Sequence, residues 1–130
     1  MMNLTSLPKI VDSRGNLSFA ENGTQVPFEI RRVYWIYDVP GGTDRGGHAY
    51  RENTELVIAL SGSFDVLLDD GSRVERFNLN RSYYGLLIPK MIWRTMENFS
   101  TNSLALVLSS TEYSEGDYIR DYREFLKALK

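Results

Sequence analysis

The chain has 130 residues, a formal net charge of −2 and no cysteine. This length suits one domain with its own core, so we expect a single domain over residues 1–130. The charge lacks the basic patch that nucleic-acid binding requires, the cysteine count excludes disulfides and thiol chemistry, and no apolar run approaches the length of a membrane span. We therefore expect a cytoplasmic protein with neither a nucleic acid nor a membrane as partner.

Most of the chain is predicted as short strands. β-branched and aromatic residues cluster between turn sequences, such as those at residues 12–15 and 69–72. The predicted strands cover residues 4–11, 16–20, 29–37, 55–60, 63–68, 73–79, 83–88, 92–97 and 103–109. Pro8 argues against a central position for the first strand and favours a sheet edge or pairing with a second subunit. Many short strands at near-even spacing indicate an all-β sandwich or barrel.

The hydrophobic period changes near the C-terminus. Residues 114–117 form a candidate capping box, and apolar residues then recur at helical spacing at Ile119, Tyr122, Leu126 and Leu129. This pattern predicts a terminal amphipathic helix that packs on the sandwich.

The one histidine lies in a stretch with a recognisable spacing. Gly42, His48, Tyr50 and Glu55 form the pattern G-x5-H-x-Y-x4-E, and Gly62 follows after six more residues. The pattern resembles the first signature of the cupin superfamily, in which a second histidine stands at the position of the tyrosine.

A later stretch resembles the second cupin signature, P-x-G-x2-H-x3-N. Pro89 and Asn98 keep its ends, whereas Met91 replaces the glycine and Arg94 replaces the histidine. Together the two signatures imply a jelly roll, which is consistent with the strand pattern. We therefore expect an all-β cupin jelly-roll sandwich or barrel with a short C-terminal helix.

Metal-binding cupins hold one ion with three histidines and one glutamate from these signatures. At the corresponding positions this chain has His48, Tyr50, Glu55 and Arg94. One imidazole and one carboxylate beside a fixed cation do not form a transition-metal site. We therefore expect no metal and no cofactor.

Longer stretches extend the resemblance to one family of cupins. Residues 28–36, 45–48, 60–63, 68–71, 89–93 and 113–120 are similar, in register, to the cupin-fold nucleotide-sugar 3,4-ketoisomerases. The resemblance implies an isomerase that moves the ketone of a dTDP-linked 4-keto-6-deoxyhexose from C4 to C3 through an enediolate. That reaction precedes amino transfer in deoxyamino-sugar biosynthesis. The resemblance also implies a homodimer with exchanged N-terminal strands.

The same resemblance suggests roles for individual residues. His48 matches the family's catalytic base, a task suited to a group that titrates near neutral pH. Tyr34 matches an active-site tyrosine that can donate to a sugar oxygen. Arg45 and Arg32 match arginines that would bind the pyrophosphate, because a guanidinium donates to phosphate in a bidentate fashion.

Four further positions are assigned less specifically. Arg14 and Arg94 lie where the family varies and could border the sugar, and Glu55 is expected to orient neighbours rather than act as a second base. Tyr50 is included among the catalytic candidates as a hydrogen-bond donor. With a free pKa of about 10 it is a poor proton acceptor at neutral pH. Either one histidine suffices, or the activity is altered or lost.

A second function class stays open on the sequence alone. The substitution of Tyr50 favours a non-catalytic cupin that binds a nucleotide sugar or another carbohydrate as a regulator or scaffold. The combination of His48, Tyr34 and Arg45 favours the isomerase instead. A related epimerase or dehydratase would need a differently placed acid.

Overall fold

A computed structural model describes residues 4–130, and residues 1–3 of the predicted domain lie outside the described residues. The strands are β1 (Leu4–Ser6), β2 (Lys9–Ile10), β3 (Leu17–Ser18), β4 (Arg32–Tyr37), β5 (Arg45–Tyr50), β6 (Glu55–Ser61), β7 (Phe64–Asp69), β8 (Val74–Leu79), β9 (Tyr84–Ile88), β10 (Trp93–Glu97), β11 (Leu104–Ser109) and β12 (Tyr118–Ile119). A single α-helix, α1 (Tyr122–Ala128), follows. The prediction of an all-β fold with one short C-terminal helix is confirmed.

The strands form two antiparallel five-stranded sheets and one separate hairpin. The first sheet has the order β1-β9-β6-β11-β4, and the second has the order β12-β5-β10-β7-β8. The hairpin pairs β2 with β3 and belongs to neither sheet. Within residues 4–130, no helix has the length and apolarity to cross a membrane.

The main core lies between the two sheets. Alternate residues of β7, namely Phe64, Val66 and Leu68, are buried in this cluster together with Val57 of β6 and Val107 of β11. Because side chains on a strand alternate between its two faces, this period-two pattern places apolar side chains on one face of each sheet. Polar residues on the same inner faces line a cavity between the sheets.

The outer face of the first sheet carries a second apolar cluster. Leu56, Ile58 and Leu108 lie there and are covered by Val26 and Phe28 of the segment that precedes β4. The segment therefore forms a partial outer layer, and the first sheet is apolar on both faces.

The N-terminal strand predicted over residues 4–11 is interrupted. β1 pairs with β9 at the edge of the first sheet, Leu7 donates its backbone N–H to Tyr83, and Pro8 separates β1 from β2. The edge position expected from Pro8 is thus confirmed, whereas the continuous strand is wrong. Pro8 cannot donate a ladder hydrogen bond, which accounts for the break.

The prediction of a capping box at residues 114–117 is wrong, and so is the predicted start of the C-terminal helix. Ser114 makes no side-chain capping bond and precedes only a 3-10 turn at Glu115–Asp117. Ile119 lies in β12, which pairs with β5, and the helix begins after Asp121, whose carboxylate accepts from the N–H groups of two following residues. An aspartate at this position satisfies the free amides of the first turn.

Strand β5, which carries the histidine, contains a bulge. Arg94 of β10 pairs with His48, but the next residue, Thr95, pairs with Gly46, so Gly47 has no partner in this register. Both glycines have positive φ, and a Cβ on Gly46 would lie 3.2 Å from the carbonyl oxygen of Arg94. A glycine bulge permits this close approach and re-aims the following side chain.

Met91 occupies the glycine position of the second cupin signature. Its φ is 60°, a left-handed conformation in which glycine is favoured. Its N–H donates to the carbonyl of Tyr50 at 2.8 Å, and its side chain packs near Phe125 of α1. The backbone turn of the signature is therefore retained, and helix packing offsets the conformational cost.

Candidate active site

The cavity between the sheets has a volume of about 710 Å³. His48 and Tyr50 reach it from β5, Glu55 from β6, Arg94 from β10 and Tyr34 from β4. Two cupin signatures that are distant in sequence therefore meet, because β5 and β10 are neighbours in the second sheet.

Glu55 accepts hydrogen bonds from four side chains. Tyr34 Oη and Ser109 Oγ each donate to its Oε2 at 2.8 Å. Asn53 Nδ2 donates to the same oxygen at 3.0 Å, and Arg94 Nη1 donates to Oε1 at 2.8 Å. We call these five residues the Glu55 cluster. A carboxylate that accepts four bonds is fixed in orientation, so the cluster supports an orienting role for Glu55.

Arg94 forms a buried ion pair with Glu55 and retains unused donors. Its side chain is 3% exposed, and its guanidinium carbon lies 4.9 Å from the centre of the Tyr50 ring. Its Nε and Nη2 are buried without a hydrogen-bond partner in the described residues. Because buried donors are normally paired, these two groups are available to an acceptor that enters the cavity.

His48 also has an unused buried atom. Its Nε2 finds no partner within residues 4–130. Burial, followed by the positive charges of Arg94, Arg120 and Arg45, lowers the pKa of His48 to about 3. The imidazole is therefore neutral at physiological pH and able to accept a proton.

The two tyrosines predicted as catalytic candidates are both in the cavity wall. Burial and then the negative charge of Glu55 raise the pKa of Tyr34 far above its ordinary value, and its hydroxyl proton is held by that carboxylate. Tyr50 is also buried, which raises its pKa, and its hydroxyl donates to the hydroxyl of Tyr118 at 3.2 Å. Neither phenol is free to donate to a ligand without rearrangement.

Arginines and aromatic rings surround the cavity mouth. We call Arg45, Tyr113, Tyr118 and Arg120 the cavity rim; all four line the cavity. Arg120 places its guanidinium carbon 4.1 Å from the centre of the Tyr118 ring and pairs with Glu115 at 2.8 Å. These groups provide positive charge and flat ring faces next to the histidine.

Arg32 lies between the rim and the Glu55 cluster. Its Nη2 is 4.0 Å from Glu55 Oε2, and its guanidinium carbon lies 5.5 Å from the centre of the Tyr34 ring. Burial lowers the pKa of Arg32, but electrostatic interactions with Tyr50, Tyr118 and Glu55 outweigh this effect, so the pKa is raised. Arg32 and Arg45 therefore both face the cavity, as expected for cations that receive a phosphate.

Arg14 is the one predicted site residue that the structure does not bring to the cavity. Its side chain is 88% exposed and forms an ion pair with Asp12 at 2.8 Å. It lies in the turn between β2 and β3, a hairpin outside both large sheets. Within this chain Arg14 therefore does not line the cavity.

Sequence reasoning missed several functional candidates. Tyr113, Tyr118 and Arg120 line the cavity, and Asn53 and Ser109 fix Glu55. The first three lie in a stretch that already resembled the family, but its helical spacing concealed the strand that turns Tyr118 towards the site. No local pattern marks Asn53 or Ser109, which meet Glu55 only through strand pairing.

The cavity residues do not fit the metal of other cupins. Within residues 4–130, no three histidine, aspartate or glutamate side chains lie close enough together to hold an ion. The guanidinium of Arg94 instead lies against Glu55, where it neutralises the one carboxylate of the former ligand set. A cation already fixed there opposes a second one.

The fold and cavity together define a cupin whose site is built from one histidine, one buried Arg–Glu pair and surrounding arginines. The family model described as FdtA, WxcM-like, C-terminal, matches residues 1–130. The chain belongs to this family.

Known relatives agree with this assignment. The chain is 40% identical over 121 residues to a TDP-4-oxo-6-deoxy-alpha-D-glucose-3,4-oxoisomerase of Aneurinibacillus thermoaerophilus, covering 93% of this chain and 87% of the relative. It matches the TDP-quinovose 3,4-ketoisomerase WlaRB of Campylobacter jejuni with a TM-score of 0.92 and 45% identity over 95% of each chain.

A third relative has been solved with a sugar nucleotide. A variant of the 3,4-ketoisomerase QdtA from Thermoanaerobacterium thermosaccharolyticum, in complex with TDP-4-keto-6-deoxyglucose, matches with a TM-score of 0.95 and 32% identity. The match covers 97% of this chain and 91% of that chain.

Proposed function

We propose that this chain is a single-domain cytoplasmic isomerase that moves the ketone of a dTDP-linked 4-keto-6-deoxyhexose from C4 to C3, a step of deoxyamino-sugar biosynthesis. The observation that carries the proposal is the charge of the cavity. Four arginines and two carboxylates line it, next to a neutral histidine with an unpaired Nε2. A net positive cavity suits a diphosphate, and a neutral imidazole suits proton abstraction.

The chemistry begins at the carbon next to the ketone. His48 removes the C3 proton, and the electron pair of that bond forms a C3–C4 double bond while the C4 carbonyl pair moves to its oxygen. The unused donors of Arg94 and the charge of Arg32 stabilise the enediolate. Protonation at C4 and formation of a carbonyl at C3 complete the reaction.

The low pKa of His48 in the free protein should rise when substrate binds. The charges of Arg94, Arg120 and Arg45 depress its pKa after burial does. A bound diphosphate offsets those charges, so substrate binding should raise the pKa of His48 and strengthen the base.

The non-catalytic alternative is less favoured. A scaffold that only binds a carbohydrate needs no unpaired, buried imidazole nitrogen, and leaving one is costly. Relatives at 40% and 45% identity also carry names of ketoisomerases.

The direct experiment follows deuterium from solvent into the sugar. The protein is incubated with dTDP-4-keto-6-deoxyglucose in deuterated water, and the ring is followed by NMR. We expect a product whose carbonyl has moved to C3, with deuterium at C4 wherever the proton on His48 exchanges with solvent before it is returned. Binding without label or carbonyl movement would overturn the isomerase and leave the scaffold.

We further propose that the chain forms a homodimer in which N-terminal strands are exchanged. In this structure β1 pairs with β9 of its own chain, so the exchange is assigned to the β2–β3 hairpin. The hairpin exposes Ile10 and Leu17, and the edge strand β4 exposes Val33 and Trp35, the latter by 58%. An unpaired edge beside an exposed apolar face favours pairing with another copy.

Exchange of the hairpin would also carry Arg14 to the second subunit, where it could border the sugar. Light scattering should give the mass of a dimer, and Trp35→Lys should weaken it. Lys9→Glu is the control for a change of charge, because Lys9 lies on the β2–β3 hairpin but is not one of its exposed apolar residues. A monomer at assay concentration would contradict this proposal without touching the isomerase.

A further inference from the structure

The tyrosines that line the cavity differ in whether the hydroxyl proton already has a hydrogen-bond acceptor. Tyr34 donates to Glu55 at 2.8 Å, Tyr113 donates to Glu115 at 2.6 Å, and Tyr50 donates to Tyr118 at 3.2 Å. The Tyr118 hydroxyl therefore accepts a bond, and within residues 4–130 its own proton has no acceptor. Among the four tyrosines that line the cavity, it is the one with a proton to give.

Donors and positively charged groups also lie close to the side chain of Tyr118. Its oxygen accepts the hydroxyl proton of Tyr50. Burial lowers the pKa of Arg32, and a hydrogen bond between Arg32 and Tyr118 is among the interactions that raise it. Arg120 lies 4.1 Å from the centre of the Tyr118 ring. Two hydrogen-bond donors and two cations therefore lie close to the group that would carry negative charge after the proton transfer.

Tyr118 and the base form one group. The centre of its ring lies 5.3 Å from that of His48 and 4.7 Å from that of Tyr50, and the Tyr50 and His48 rings are 4.9 Å apart, so the three rings form a triangle. A sugar whose C3 reaches His48 therefore brings its C3 and C4 oxygens close to Tyr118, because those atoms are adjacent on the ring.

We propose that Tyr118 is the acid that protonates the enediolate oxygen, and that Tyr50 positions it. The inference rests on the proposed isomerase. As His48 takes the C3 proton, the C4 oxygen takes the proton of Tyr118. In the second half, the phenolate takes the proton of the C3 hydroxyl, whose electrons form the new carbonyl, and His48 returns its proton to C4. Both residues end as they began.

This assignment differs from the role that the family resemblance suggests for Tyr34. The hydroxyl of Tyr34 is held by Glu55, and its removal would leave a buried carboxylate short of a donor. Tyr34 therefore acts on the position of Glu55, whereas Tyr118 faces the substrate.

The test is Tyr118→Phe in the full-length protein, with Tyr122→Phe as the control. Tyr122 lies on the same C-terminal segment but outside the cavity, where its hydroxyl donates to Asp69 at 2.7 Å. We expect Tyr118→Phe to lower kcat by about 10²-fold, the range for loss of a general acid, with TDP affinity within about twofold of the parent. Deuterium exchange at C3 should fall in parallel, because the enediolate loses its acid.

A double-mutant cycle tests the part of Tyr50. Tyr50→Phe should lower kcat by roughly tenfold alone and add nothing to Tyr118→Phe, because it acts through that residue. Additive losses would overturn the positioning role. If the parent turns over substrate while Tyr118→Phe keeps more than about a third of its kcat, or loses TDP affinity to the same extent as kcat, Tyr118 is not the acid. Failure of the parent itself would count against the isomerase instead.

Discussion

The Glu55 cluster and the cavity rim use similar residue types in opposite ways. Both contain an arginine paired with a glutamate at 2.8 Å, Arg94 with Glu55 and Arg120 with Glu115. The first pair is almost completely buried and fixed by three additional donors to Glu55, whereas both members of the second pair are more than half exposed. The buried pair therefore holds the site together, whereas the exposed pair is placed to receive a ligand.

The Glu55 cluster therefore contributes preorganisation of the site, and the cavity rim contributes ligand binding. Charges in the buried cluster cannot relax into water, so their positions are set before the substrate arrives. Charges at the exposed rim are screened by water, and they gain most when a diphosphate replaces that water. Variants in the two regions should therefore change different measurements.

The largest effect should come from Arg94→Met. Removal of the cation leaves the buried carboxylate of Glu55 without the guanidinium that is hydrogen-bonded to it, and this should cost about 3–5 kcal/mol of the free energy of unfolding. Urea denaturation at one fixed protein concentration measures this loss.

Arg76→Met is the matched control for Arg94→Met. Arg76 pairs with Asp65 and Glu97 at 2.8 and 2.7 Å, but its side chain is 53% exposed. Because water screens the guanidinium and both Asn78 and Asn98 also donate to Asp65, removal of Arg76 should cost much less than removal of Arg94. Equal losses in the two variants would contradict the distinction by burial.

The next effect is a dependence of stability on pH that originates at His48. Its pKa is about 3 in the folded chain and 6.5 ordinarily. As the pH falls, the unfolded chain binds the proton at a higher pH than the folded chain does. The contribution of His48 to the free energy of unfolding is therefore complete above pH 6.5, decreases as the pH falls, and levels off below about pH 3. The loss should be about 2 kcal/mol at pH 5.

The chain has one histidine, so His48→Gln removes this contribution entirely. Subtracting the unfolding curve of the variant from that of the parent, each measured between pH 8 and 5, isolates it. A constant difference across that range would show that His48 titrates normally in the folded chain.

The smallest effect should come from the rim. Arg45→Ala should raise KM by roughly tenfold through lost phosphate contacts while leaving kcat and unfolding nearly unchanged. Arg51→Ala, which removes the same charge from an exposed position outside the cavity, should stay within about twofold. If both variants behaved alike, only the overall charge of the protein would matter for binding.

The central residues of the site could be predicted because the signatures fix their spacing. His48, Glu55 and Arg94 meet through pairing of neighbouring strands, and the two motifs contain all three. The bulged strand β5 was not predicted, because Gly46 and Gly47 weaken the strand propensity of the segment.

Other parts depended on contacts that local patterns do not encode. The spacing of Ile119 and Tyr122 fits a helix, yet pairing with β5 converts the first of them into strand and thereby brings Tyr118 to the cavity. Arg14 was assigned from the family resemblance, and within this chain the hairpin that carries it packs outside the two sheets. Tertiary pairing overrides local propensity in the first case, and in the second no local pattern indicates where the hairpin packs.

The base is the centre of this account, and one comparison tests it directly. Isomerisation and TDP affinity are measured for the parent, His48→Asn and Tyr50→Phe. We predict that His48→Asn retains TDP binding but loses about 10²-fold to 10⁴-fold in turnover, while Tyr50→Phe loses only about tenfold. Parental turnover by His48→Asn, with an inactive Tyr50→Phe, would contradict the account and move the base to the tyrosine.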